Sequence, residues 1–400
     1  MSAQVIKIAV VSDLHVFNGS SSAGGPSFIG TADTQDSPEK HPFKGIQKLI
    51  ADEGLSADFL ICPGDLADRA DPAALMFAWE KLQRLKTQLG AQNLFATSGN
   101  HDVDSRNAHG DVDPKGNLQA LDPMFPGLSE QQCDKYWSRN FAVFTEGDLR
   151  IVLLNSAAFH GYGTDASPEY KYGRVSSKTI SALRASLATD HRRVNILVCH
   201  HHPAPYNPVE EEDYSEMLGG DRLIELLDSG AHGSWILIHG HKHFPRLAYA
   251  TGSSSSPVIF SAGSFSVALH HSQSARARNQ FYILEIPVGD LDSLGLDIAG
   301  TITAWDWITL MGWQPAGNLS GLPHSLGFGC REAVRSIARD IASYFPAQAS
   351  ALSGEELIGL LPRLRFLHPQ DLQAVILRLR QDHQIVMRMQ DGKIIEVGRK

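Results

Sequence analysis

The chain has 400 residues, 42% of them hydrophobic and 20% charged, with 35 Lys+Arg against 44 Asp+Glu and a formal net charge of -9. That length and composition suit one large α/β domain with an appendage, or two ordinary domains, and exclude a mostly disordered, collagen-like or disulfide-scaffold chain. The acidic balance argues against a dedicated duplex-DNA binder, which needs an excess of Lys and Arg to neutralise phosphates.

Taken in chain order, the first residues, MSAQVIKIAVVSD, already read as a strand and lack the basic and apolar regions of a signal peptide. Short β-rich apolar runs follow at Asp58 to Cys62, Asn93 to Thr97, Arg150 to Asn155, Val194 to Cys199, Trp235 to His239, Pro257 to Ser261 and Gln280 to Ile286. Helical spacing fills Lys44 to Ala51, Ala73 to Leu89, Ser177 to Ala188 and Asp221 to Leu227, as in Leu75, Trp79, Leu82 and Leu85. Strands alternating with helices predict βα units rather than a sandwich. Phe17 to His41 and Asp104 to Glu130, rich in Gly, Pro and small polar residues, are expected to be long loops, which are usually functional or mobile. No apolar run approaches the roughly 18 residues that cross a bilayer. The four cysteines have no CxxC spacing, so a cytoplasmic chain with reduced thiols is expected.

The composition shifts after about residue 315. Gly317 to Gly329 reads as a connector, and Arg331 to Phe345 as a helix with Val334, Ile337 and Ile341 on one face, stopped by Pro346. Ser353 and Glu356 have capping-box spacing, Pro369 to His383 repeats a helical face, and two β-rich runs flank an Asp391-Gly392 turn. Helix, helix, hairpin is the outline of a winged helix. From Ser353 to Lys400 there are 8 Lys+Arg against 6 Asp+Glu, a local +2, so the preceding residues carry -11. The expected division is a catalytic domain over 1–315, a connector and helix over 316–352, and a small α+β unit over 353–400. Trp305, Trp307 and Trp313 are expected to pack between the main domain and this extension.

The polar residues cluster just past the predicted strands: Asp13 and His15, then Asp65 and Asp68, then Asn100, His101 and Asp102, then His200, His201 and His202, then His241 and His243. In an open α/β sheet, the carboxyl ends of the strands line one crevice, so these residues converge. Carboxylate oxygen together with imidazole nitrogen suits Mn, Fe or Zn better than Mg. Two such ions about 3.5 to 4 Å apart can clamp both oxygens of an in-line displacement at phosphorus. Asp68 reads equally as a site residue or as a structural partner of Arg69. His160 and His239 read as supporting histidines. His109, His270 and His271 have no motif around them, and Arg276 and Arg278 read as solvated rather than as phosphate binders.

In Asp13-Leu14-His15, Gly64-Asp65-Leu66-Ala67-Asp68, Gly99-Asn100-His101-Asp102, His201-His202-Pro203 and Gly240-His241-Lys242-His243, the sequence resembles the calcineurin-like metallophosphoesterases. In motif form it is most similar to the class III cyclic nucleotide phosphodiesterases. The resemblance covers residue 5 to about 290 and implies a four-layer αββα sandwich with a two-metal site on one edge. It implies that Asp13, His15 and His243 hold one divalent ion and that Asn100, His201 and His241 hold the other. Asp65 would bridge the two, and Mn is the foremost expectation, with Fe or Zn next. His101 would protonate the leaving oxygen or stabilise the transition state, with Asp102 orienting its ring. The family's His-x-Pro pattern selects His201, but three consecutive histidines leave a one-residue slip open. Strand alternation puts His200 and His202 on the face opposite His201. His202 is expected to reach substrate phosphate.

The implied activity is hydrolysis of a phosphodiester, with a cyclic nucleotide or a phosphomonoester among the candidate substrates, by attack of a metal-bridging hydroxide without a phosphoenzyme. One alternative is a nuclease guided to DNA or RNA by the C-terminal unit. A second is a scaffold that keeps the fold without catalysis, although such a chain usually loses ligands. A membrane is not expected as a partner and nucleic acid is not favoured. A protein partner or self-association through the C-terminal unit is the remaining expectation.

Overall fold

A computed structural model of the chain describes residues 4–34, 37–106, 113–162, 172–205, 215–253, 255–269, 274, 277–289, 291–317, 321–345 and 351–399. His109, His270, His271, Arg276 and Pro346, and part of the expected turn at Ser253 to Ser256, lie outside the described residues.

Two sheets face each other. The first has the order β12-β11-β10-β1-β2-β3. It is built from β1 (Val5–Val10), β2 (Phe59–Cys62), β3 (Asn93–Ala96), β10 (Asn279–Pro287), β11 (Gly300–Ile308) and β12 (Gly312–Pro315), and β13 (Ser325–Phe328) pairs with β11. The second has the order β4-β5-β6-β7-β9-β8. Its strands are β4 (Phe141–Glu146), β5 (Leu149–Leu154), β6 (Val194–Val198), β7 (Trp235–His239), β8 (Arg246–Tyr249) and β9 (Val258–Ser261). The strands β1, β2 and β3 run parallel, as do β5, β6, β7 and β9. In each sheet the loops after the parallel strands therefore emerge on one edge.

The central strands β2, β6 and β7 are almost continuously hydrophobic because both faces are covered. Ile151, Ile196, Val198, Ile236 and Ile238 point into the core between the sheets. Their neighbours Val152, Leu197 and Leu237 pack outward against α5 (Ser177–Leu187) and α6 (Gly220–Asp228) through Leu183, Leu187 and Leu223. On the far side, Ile46 of α1 (Pro42–Glu53) and Leu75, Trp79 and Leu82 of α2 (Pro72–Gln88) cover the first sheet. Helices, sheet, sheet, helices make four layers.

Some elements escape the periodicity. The helix α4 (Glu130–Arg139), which follows the short α3 (Gly116–Gln119), is so polar that only its Ser129/Gln132 capping box marks it. The strand β4 follows it directly and pairs with β5 through a tight turn at Gly147. Trp307 and Trp313 pack on α1 rather than on the extension: a Cβ at Gly45 would lie 2.6 Å from Trp307 and 2.9 Å from Trp313, and Trp313 Nε1 donates to Pro42 O at 3.0 Å.

The C-terminal unit comprises α7 (Val334–Ser343), β14 (Leu352–Ser353), α8 (Gly354–Leu360), α9 (Pro369–His383), β15 (Ile385–Gln390) and β16 (Lys393–Arg399), with strand order β14-β16-β15. Ile337 and Ile341 of α7 share a separate core with Leu357, Val375, Leu379 and Val397. The stretch 316–352 is therefore not a free connector: β13 completes the main sheet, and α7 is the first helix of the winged unit. The unit is docked on the main domain. His368 caps α9, accepting from Gln370 N at 3.2 Å, and its Nε2 donates to Leu247 O at 3.0 Å. The wing turn lies on the edge of β13, where Gly392 has φ 79° and a Cβ on it would come within 2.2 Å of Ser325 O. Replacing Gly392 by Ala should cost more than about 1 kcal/mol of stability. Denaturant unfolding and protease sensitivity of the tail measure this, and an unchanged midpoint would show that the wing does not bear on β13.

Candidate metal centre

The site is built where the turns after β1, β2, β3, β6 and β7 meet. Five of its residues take left-handed backbone: Asp13 (φ 51°), His15 (φ 46°), Asp65 (φ 55°), His241 (φ 75°) and His243 (φ 53°). Each such non-glycine residue costs about 1–3 kcal/mol unless the surroundings over-determine it. Here they do. Asp13 N, His15 N and Val16 N donate to Gly64 O, Asp65 O and Leu66 O, each at 3.0 Å, so the two turns continue the pairing of their strands. Gly99 permits the closest approach, because a Cβ there would lie 2.1 Å from Asp65 Oδ1.

Asp65 Oδ2 lies 3.2 Å from His15 Nε2 and 3.2 Å from His200 Nε2. On one side, His15 Nε2 is 3.2 Å from His243 Nε2, which is 3.3 Å from Asp13 Oδ1. On the other, Asn100 Oδ1 is 3.1 Å from His200 Nε2 and 3.0 Å from His241 Nδ1. Asp13, His15, Asp65 and His243 thus form one group able to hold a cation, and His200, His201 and His241 supply another. Two imidazole nitrogens that face each other at 3.2 Å need either a proton or a cation between them. The donor set is oxygen and nitrogen without thiolate, which fits Mn, Fe or Zn.

The imidazole that meets Asp65 and Asn100 is His200, not His201. In β6, Ile196 and Val198 face the first sheet and Leu197 and Cys199 face α5 and α6, and His200 continues the first set, against Pro63 O. His200 Nδ1 is anchored at 2.9 Å to Pro63 O, which aims Nε2 at the carboxylate. His201 stands just behind, its Nδ1 2.9 Å from Ser156 Oγ and its ring 4.7 Å from that of His241. His202, expected to reach substrate phosphate, is instead 1% exposed and stacks on the ring of His241, centroids 5.7 Å apart, without lining the cleft.

Asp102 does not touch the His101 ring. Its carboxylate, fully buried, accepts the backbone N–H groups of Asp65, Leu66, Ala67 and Gly99 at 2.6–3.1 Å, so it shapes the turn that carries Asp65. The partner of His101 is Asp68, with Nδ1 to Oδ1 at 3.0 Å. Sequence spacing held that signal, since Gly-Asp-x-x-Asp puts the second carboxylate one turn beyond the first, beside the next strand's loop. Ser105 was not legible: its Oγ donates to Asn100 O at 2.6 Å and lies 2.9 Å from His160 Nδ1. A cleft of about 1040 Å³, lined by Phe17, Asn18, Asp68, Asn100, His101 and Ser105 among others, opens over these residues.

Burial disfavours charge on His15 and His200, but Asp65 and Asp13 outweigh it and hold the two rings up at about 10 and about 9. Burial acts to raise Asp65, and the facing His200, His101 and His15 overcome it, holding the carboxyl well below its ordinary range. Without metal, protons therefore stand at pH 7 between the groups that a cation would join. Metal uptake at pH 7 should release up to two protons per chain, and affinity should rise as pH increases toward about 9. Calorimetry in buffers of different ionisation enthalpy measures this; an affinity independent of pH between about 6 and 8 would contradict it.

The family profile described as Calcineurin-like phosphoesterase matches residues 6–245, more than half of the chain, and a second, wHTH-Calcineurin_assc, matches residues 326–381. A cAMP/cGMP dual specificity phosphodiesterase of Mycobacterium tuberculosis is 23% identical over 249 residues, which are 60% of this chain and 63% of that protein. Among solved structures, a purple acid phosphatase from yellow lupin seeds aligns at 13% identity and a TM-score of 0.48, covering 82% of this chain and 54% of the other. A calcineurin-like phosphoesterase of Bacillus subtilis aligns at 10% identity and a TM-score of 0.36, covering 81% and 90%. No helix among the described residues is long and apolar enough to cross a membrane. With its motifs in order and its polar side chains gathered on one edge of two facing sheets, the chain belongs to the calcineurin-like phosphoesterase family.

Proposed function

We propose that the chain is a metal-dependent phosphodiesterase that uses two divalent cations, Mn foremost. The observation that carries this reading is the single oxygen Asp65 Oδ2, equidistant at 3.2 Å from an imidazole of each donor group. Asp13, His15 and His243 would hold the first cation, Asn100 with His200, His201 and His241 the second, and Asp65 both; His201 Nε2 is buried with no hydrogen-bond partner among the described residues. Bound there, the pair supplies positive charge to the phosphoryl oxygens and makes a nucleophile available from water at neutral pH.

The chain's own groups do the rest. His101, about a third exposed at the cleft, is placed to protonate the departing oxygen. Asp68 holds the ring by Nδ1, which leaves Nε2 for the leaving group, and keeps the imidazole in one orientation. Burial acts to raise Asp68, but its hydrogen bonds from His101 and His15 dominate and keep it ionised. The cleft is far larger than a phosphate group needs, which favours a diester over a small monoester. The Mycobacterium relative acts on cyclic nucleotides, which favours a nucleotide diester here. For the nuclease alternative, the wing of the C-terminal unit is packed on β13, and Arg378 and Arg388 face Asp382 and Glu396.

In protein stripped of metal and reloaded with Mn, hydrolysis of bis(p-nitrophenyl) phosphate and of cyclic AMP tests the reading. His101→Ala should keep its Mn content while kcat falls by about 10²–10³, and Asp68→Asn should lose less. Full activity in the presence of a chelator, or an unimpaired His101→Ala enzyme, would reject it.

A further inference from the structure

One wall of the cleft carries a residue that phosphoryl transfer does not require. Phe17 lines the cleft together with His101 and Asn100, and among the described lining residues it is the one aromatic ring besides histidine. It follows the proposed metal ligand His15 by two positions and shares the cleft with Asp68, Asn100 and His101.

The ring is fixed in place without serving the core. Phe17 N donates to Ile29 O at 3.3 Å, and Thr31 N donates to Phe17 O at 3.0 Å, which pins the backbone. Two glycines seat the side chain: a Cβ at Gly25 would lie 2.4 Å from Phe17 Cζ, and one at Gly19 would lie 3.0 Å from Cε2. Any larger residue at Gly25 would displace the ring. Yet Phe17 belongs to none of the hydrophobic clusters that hold the molecule together, and it remains half-buried. A large apolar side chain held by backbone contacts, partly exposed beside a phosphate-handling centre, has the properties of a stacking surface, since every base offers a π-face to an aromatic ring.

We infer that Phe17 is the base platform of a nucleotide subsite: the substrate's phosphate sits at the proposed metal centre and its base stacks on the Phe17 ring. The inference rests on the proposed phosphodiesterase reading and adds the residue that receives the base of a nucleoside phosphoester. Stacking of one base on one aromatic ring supports about a tenfold gain in affinity, with little preference among bases.

Binding of AMP, ribose 5-phosphate and inorganic phosphate to the Mn-loaded full chain, measured by calorimetry for the wild type, Phe17→Leu and Phe17→Trp, tests this. The wild type should bind AMP about tenfold more tightly than ribose 5-phosphate. Phe17→Leu, which keeps apolar bulk but removes the π-face, should abolish the difference, and Phe17→Trp should keep it. Inorganic phosphate should bind all three proteins alike. A wild type that does not distinguish AMP from ribose 5-phosphate overturns the base subsite while leaving the phosphoesterase reading intact. So does a Phe17→Leu protein that loses phosphate affinity as much as AMP affinity, because the ring would then be supporting the metal centre. A Mn-loaded wild type that neither binds phosphate nor hydrolyses any ester overturns the underlying reading and the inference with it.

Discussion

A single carboxylate joins the two sheets at their working edge. Asp65, at the end of β2 in the first sheet, places Oδ2 3.2 Å from His200, which extends β6 of the second, and 3.2 Å from His15 of its own sheet. Its other oxygen accepts the backbone N–H of His101 at 2.8 Å. Moving this group by an ångström would uncouple both imidazoles and the residue proposed as acid, so the surrounding structure is organised to keep it still. Asp102 contributes most. A fully buried carboxylate is costly unless its lone pairs are filled, and here four backbone amides fill them, all from the segments that carry Asp65 and Asn100. Desolvation and the nearby charge of Asp65 still hold Asp102 up at about 6. The protein keeps a buried carboxylate with a raised pKa in order to fix one turn.

The same logic accounts for the left-handed turns. A strand sends residues two apart to one face, so Asp13 and His15, like His241 and His243, share a side by spacing alone. A positive φ at all four curls the chain into tight turns just past the strand ends, where these side chains reach the two donor groups. Ser12 Oγ, Ser264 Oγ and the pairing with the β2 turn hold Asp13 in this form. Strain of this kind lies where function needs it, and the rigid sheets on either side sustain it.

The sequence made the layers legible because periodicity and strand-end position are local properties. Five motifs just past five strands were enough to place a site on one edge. What local pattern could not decide was which neighbour of a given residue would use it. A His-x-Pro pattern favours His201, but the register of β6 turns His200 inward, and register is set by Ile196 and Val198 packing between the sheets. Adjacency in Gly-Asn-His-Asp suggests that Asp102 serves His101. The chain instead folds the carboxylate beneath the turn and leaves the ring to Asp68, which lies 33 residues earlier. Similarly, a composition change near residue 315 suggests a linker, while β13 and α7 are claimed by two different cores that only the folded chain defines.

The surplus of histidine has a physical reason that the ligand count does not exhaust. Around the site, the rings split by neighbour. Those facing carboxylates, His15 and His200, are held up at about 10 and about 9. Burial and neighbouring histidines push others down: His160 and His239 to about 4, and His201 and His241 well below the ordinary value. A neutral imidazole can still hydrogen-bond at both nitrogens, as His160 does between Ser105 and Tyr172 O, without adding a positive charge. Lysine or arginine in this layer would repel the cations the donor groups are built to hold, and further carboxylates would repel an anionic substrate. Neutral rings beside Asp13, Asp65 and Asp68 are a composition that lets cations and phosphate share one edge.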